Sequence, residues 1–227
     1  LRRMSADWLK LLSTARFGAP EDQAPARSPF QRDYDRVLFS GAFRRLADKT
    51  QVFPLPYDDH VHSRLTHSLE VASIGRSLGT LVGTRVLERE PALAEALDAR
   101  DFGDCVAAAC LAHDLGNPPF GHVGEDAIKE FFAREKPLWD RLDDRQRGDL
   151  LAFEGNAQTL RIVTRLERPS RHGGLQLTLA TLGALTSDNL PAKTNFKILK
   201  GLDARTGRAN FDISEWMILR LLAALHR

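Results

Sequence analysis

From about residue 30 onward, the apolar residues of this chain recur at intervals of three and four. Tyr34, Val37, Leu38, Ala42, Phe43 and Leu46 keep that rhythm, as do Leu65, Leu69, Ala72, Leu78, Leu81 and Val82 within residues 64–90. Such spacing lines one side of a helix, so both segments are predicted to be amphipathic helices. Residues 104–115 are almost wholly apolar and predict a buried central helix; 123–135, 144–168 and 174–186 supply others. Period-two alternation and Asn-Gly hairpin signals are absent, so the predicted fold is all-α, a helical bundle. The stretch GAPEDQAPARSP, residues 18–29, reads as a loop. It divides a short N-terminal helix and loop (1–29) from the core (30–186). A C-terminal helical segment (187–227) follows, in which turn-like SDNLPAK and DARTGRANFD precede ISEWMILRLLAALHR.

Composition narrows the function classes. With 227 residues and 43% hydrophobic content, the chain can bury a core. No run approaches the ~18 apolar residues of a membrane helix, and the opening segment lacks a signal-peptide core, so a cytoplasmic protein without a membrane contact is expected. Cys105 and Cys110 lie five apart in an apolar stretch and read as buried, reduced thiols. A net charge of +2, from 32 basic and 30 acidic residues, does not by itself argue nucleic-acid binding. Arg44, Arg45 and Lys49 form a local basic cluster that suits an anionic substrate or a solvated helix face.

The chemistry gathers around His113-Asp114. Chance gives roughly 0.6 adjacent His-Asp pairs in such a chain, so the dipeptide alone says little. Its place says more, because the pair ends the apolar run CVAAACLAHDLG just before Asn117, Pro118 and Pro119, where helical geometry must stop. A buried carboxylate delivered to such a turn needs a counter-charge, which a divalent cation supplies. His67, in SRLTHSLEV on the earlier helix, offers a second imidazole. Nitrogen and oxygen donors without thiolate suit Mn, Fe, Ni, Co or Zn. In PPFGHVGE, His122 and Glu125 are three apart on one helical face, a spacing equally compatible with a proton-transfer pair and with a helix cap.

Five separated motifs, QRDYDRVLFSGAFRRLADKTQVF, SRLTHSLEV, CLAHDLGNPPFGHVGE, FEGNAQTLRIV and GLQLTLATLGALT, closely resemble the bacterial dGTPase family of HD-domain enzymes. The resemblance runs from about Gln31 to Thr186 and implies an HD-domain helical bundle. It implies that His67, His113 and Asp114 hold a divalent metal, Mn or Mg or a transition ion such as Fe, Ni, Co or Zn. His122 matches the catalytic histidine with Glu125 beside it, Arg64 an arginine that meets the triphosphate, and Gln51 a glutamine that reads the sugar 3′-hydroxyl. Glu154 and Asn156 match a site-lining motif, and Arg44, Lys49 and Asn117 complete the expected substrate contacts. The implied reaction is attack at the α-phosphorus of a deoxynucleoside triphosphate, dGTP foremost, releasing deoxynucleoside and intact tripolyphosphate. A homo-oligomer with a single-stranded DNA contact is the implied assembly.

The chain departs from that family after Thr186. The family continues with a Lys-Tyr-Pro element and, much later, a helix bearing Glu-Ala-Ala-Asp-Asp, which supplies a fourth metal ligand. Here Asp188, Asp203 and Asp212 are the only later aspartates, none in matching surroundings. With a start at Leu1 and an uncapped final helix, this leads us to expect a missing stretch, with a break in the chain near Thr186-Ser187. Two other readings stay open: another HD nucleotide phosphohydrolase, or a catalytically idle nucleotide- or single-strand-binding regulator.

Overall fold

A computed structural model describes residues 7–20, 27–50 and 62–186. The regular elements of the described residues are all helices, with only isolated β-bridges such as Thr50 to Ser63. A short α1 (Trp8–Leu11) leads to α2 (Pro29–Leu38), which starts where the Ser28 hydroxyl accepts from Gln31 N and Pro29 fills the first turn. The segment expected as one helix breaks at Ser40, whose side chain caps α3 (Gly41–Arg44), and a tight turn over Arg45–Asp48 completes it. The long α4 (Arg64–Arg89) packs along α5 (Ala99–Ala112). Then come α6 (His122–Arg134), α7 (Lys136–Trp139), α8 (Asp144–Leu151), α9 (Gly155–Arg161) and α10 (Leu179–Thr186). The single helix expected over 144–168 is split because the Glu154 carboxylate caps a new start, and α9 ends in one wide turn over Ile162–Leu166.

The α4–α5 seam positions everything that follows. Its α4 face is not the leucine stripe that the spacing suggests: Leu78 and Leu81 are exposed, whereas Ser68, Ala72, Gly75, Gly79, Val82, Gly83 and Val86 are buried. A Cβ at Gly79 would stand 2.8 Å from the Phe102 carbonyl oxygen, and one at Gly103 would stand 2.2 Å from Thr80 Oγ1. The two backbones therefore approach as only glycine allows. Close approach along the seam carries His67, near the start of α4, to the end of α5.

Two apolar clusters flank the seam. One joins Trp8, Leu11 and Phe30 to Val82, Val86 and Phe102; the other joins Val37, Phe43 and Leu46 to Leu111, Leu115, Leu160 and Leu177. Each fully buried Leu or Phe there is worth roughly 1.5–3 kcal/mol of transfer free energy, which anchors the elements around the polar site. Among the described residues no helix is long and apolar enough to cross a membrane. The 187–227 segment and the expected break at Thr186-Ser187 lie outside the described residues.

Candidate metal centre

Helix α5 ends at Ala112, and His113 and Asp114 form the turn that leaves it. Three bonds fix that turn. His113 Nδ1 lies 2.7 Å from the Cys110 carbonyl, which can only accept, so the proton sits on Nδ1 and Nε2 is left as a donor atom for a ligand. Thr159 on α9 spans the turn: its Oγ1 accepts from Gly116 N at 2.9 Å and donates to the His113 carbonyl at 3.1 Å. Gly116 must be glycine here, because a Cβ would fall 2.1 Å from the Gly155 carbonyl oxygen.

His67, His113 and Asp114 each offer one donor atom, and these atoms lie within 4.8 Å of one another. His113 Nε2 is 3.4 Å from Asp114 Oδ1. That separation is about the edge of a tetrahedron of donors set ~2.1 Å from a common centre, so two nitrogens and an oxygen fit a divalent cation. Asp114 is nearly buried and already answered: Arg64 Nη1 donates to its Oδ2 at 2.8 Å, and Asn117 Nδ2 donates to its Oδ1. Arg64 Nε is buried without a hydrogen-bond partner among the described residues.

The second pair stands beside this cluster. His122 Nδ1 lies 3.1 Å from Glu125 Oε2, and the His122 ring is 96% exposed while Glu125 is buried. Glu125 does not cap its own helix; its Oε1 accepts from Gly155 N of α9 at 2.8 Å. Gly121, which precedes His122 with φ at +56°, comes so near Arg64 that a Cβ there would sit 3.0 Å from Nη2. Helix α9 thus touches both halves, with Gly155 N on Glu125 and Thr159 on the His113–Gly116 turn.

The other sequence candidates divide. Lys49 Nζ donates to the Asn117 carbonyl at 2.9 Å, and burial, then the neighbouring Arg64 charge, lowers its pKa. Glu154 is spent on the backbone: its oxygens accept from Asn156 N at 3.1 Å and Ala157 N at 2.7 Å. Asn156 is half-buried at the start of that helix. Arg44 is exposed at the end of α3, and no ion pair among the described residues ties it to the cluster. Gln51 lies outside the described residues. Thr159 and the Gly155 amide were missed by sequence reading; the signal available was only their place in FEGNAQTL, five and one residues after a capping glutamate.

A helical bundle that brings a histidine of one helix to a His-Asp pair at the end of its neighbour defines an HD domain. Residues 64–148 match the family model described as HD domain. Deoxyguanosinetriphosphate triphosphohydrolase-like proteins are similar over much of the chain. That of Pseudomonas aeruginosa is 52% identical over 181 residues, 78% of this chain and 40% of the relative. That of Synechocystis is 51% identical over 182 residues, 78% and 41% of the two, and that of Listeria innocua 44% identical over 168, 70% and 36%. Residues 64–148 thus carry the HD-domain pattern, and the chain is similar to relatives named deoxyguanosinetriphosphate triphosphohydrolase-like. It spans about 40% of the length of the relatives it matches.

Proposed function

We propose that residues 30–186 hold the site of a metal-dependent hydrolase that takes a deoxynucleoside triphosphate, dGTP foremost, to deoxynucleoside and intact tripolyphosphate. The observation that carries this reading is the convergence of His67, His113 and Asp114 with Arg64 on the same carboxylate and His122–Glu125 beside it. A divalent cation held by the three donors supplies Lewis acidity toward a phosphoryl oxygen and lowers the pKa of water. The chain's own residues do the rest. Arg64 and Lys49 meet phosphate oxygens as charge-assisted donors, and Asn117 holds Asp114 in place. His122 presents Nε2 outward because Glu125 engages Nδ1, so it can move a proton at the scissile oxygen. Gln51 is assigned to the sugar 3′-hydroxyl, which favours deoxy over ribo substrates. Exposed Arg44 and Arg45 share with Lys49 the assignment to phosphate oxygens, a basic cluster that also suits a single-stranded DNA contact, and the chain is assigned a homo-oligomeric assembly.

The products decide. Phosphorus NMR of dGTP treated with the manganese-loaded protein should show tripolyphosphate as the first product; orthophosphate or pyrophosphate alone would refute the proposal. Equal turnover of GTP and dGTP, or a Gln51→Ala variant with unchanged sugar preference, would remove the role given to Gln51.

A further inference from the structure

A second group of metal-type donors lies outside the first, on the solvent side of α4. His62 precedes the helix and Glu70 is one turn beyond His67. One donor atom from each of His62, His67 and Glu70 falls within 4.8 Å of the others. His62 Nε2 stands 3.4 Å from Glu70 Oε2, the same spacing as between His113 and Asp114. The His62 ring lies edge-on to the His67 ring at 5.9 Å, and His67 in turn lies 5.3 Å from His113. His67 is therefore shared by an inner and an outer set.

The two sets differ in what already occupies their carboxylates. Asp114 is nearly buried and neutralised by Arg64, so an arriving cation must compete with a guanidinium and shed its water in a confined place. Glu70 and His62 are 61% and 49% exposed, and an imidazole is the ion-pair partner of Glu70 among the described residues. A hydrated cation meets that carboxylate first and at lower desolvation cost. We infer that His62, His67 and Glu70 form an outer site for a transition-type divalent cation, through which the ion passes to the inner set as His67 changes carboxylates. Two imidazoles and one carboxylate suit zinc, cobalt or nickel better than magnesium.

This depends on the inner metal reading only for its kinetic consequence, so the experiment separates the two. Cobalt(II) titrated alone into Asp114→Asn, followed by its visible absorption, reads the outer site with the inner carboxylate removed. One equivalent should bind, and adding His62→Gln or Glu70→Gln should weaken it at least tenfold. In the otherwise native chain, Glu70→Gln should slow cobalt uptake several-fold in stopped flow while leaving the final occupancy unchanged. Both outer side chains are exposed, so the fold, checked by far-ultraviolet circular dichroism, should persist. Equal cobalt binding by Asp114→Asn with and without Glu70→Gln, or an unchanged uptake rate, would overturn the inference. Neither readout needs hydrolysis, so absence of activity would count against the proposed reaction and not against this site.

Discussion

Asp33 and Asp114 are both buried carboxylates answered by an arginine, yet one is closed and the other open. At Asp33, Arg16 Nη1 donates to Oδ1 at 2.6 Å, and Thr178 gives both its N–H and its Oγ1–H to Oδ2 at 2.8 and 2.7 Å. Arg16 also holds the carbonyls of Gln176 and Pro29. The side chains of both partners are at most 1% exposed, and the pair ties α2 to the start of α10. At Asp114 the neighbours include two imidazoles, and His113 is 35% exposed. The same acid–arginine pairing is structural where donors seal it, and becomes a site where histidines leave a place for a cation.

Exchanging the two aspartates' roles is the most severe way to break this contrast. Asp114→Asn should lose the tightly held metal after dialysis, by elemental analysis, and turnover with it; Asp33→Asn should keep its metal. His122→Ala should cut turnover by on the order of 10² to 10⁴ with metal content unchanged, because it is assigned a proton and not a ligand bond. Next in size, Asp33→Ala should cost about 3–5 kcal/mol in urea unfolding, since it strands a buried guanidinium. An Asp33→Ala protein as stable as the parent would mean that the closed pair holds nothing together.

Smaller changes sharpen the contrast. Thr159→Val should weaken metal binding about 10–100-fold through the His113–Gly116 turn, while Thr159→Ser, which keeps the hydroxyl, should bind nearly as well as the parent. Equal affinities for the two variants would remove Thr159 from the site. Smallest of all, Cys105 lies 3.9 Å from Thr181, which bonds Thr178, and burial pushes its thiol up to about 12. It should resist thiol reagents at pH 8 in the native protein and become labelled in Asp33→Ala. Equal protection in both would show the closed node to be insensitive to loss of its carboxylate.

The open node was largely legible in the sequence and the closed one was not. His113-Asp114 ends an apolar run at a proline-bearing turn, and His67 stands in a motif, so both announce themselves by context. Arg16, Asp33 and Thr178 meet across 17 and 145 residues of separation, and no local pattern marks a buried ion pair. The all-α architecture followed from periodicity, and Ala72 and Val82 of the expected α4 face are buried with Leu65 and Leu69 packed against the core, but Leu78 and Leu81 face outward, because glycine and serine carry much of the seam. Helix ends were blurred for a related reason: Ser40 and Glu154 cap new starts inside runs whose apolar rhythm continues across the break. Glu125 was legible as the partner of His122, whereas its second bond, to Gly155 N, depends on the tertiary placement of the start of α9, 30 residues away in sequence.

The most direct measurement locates the metal. Crystals grown with manganese or cobalt and measured at the metal's absorption edge should show their strongest anomalous peak among His67, His113 and Asp114, with donors about 2.0–2.3 Å away. A strongest peak elsewhere, or none in protein that retains metal and turns over dGTP, would contradict the assignment of these three residues as the centre of the site.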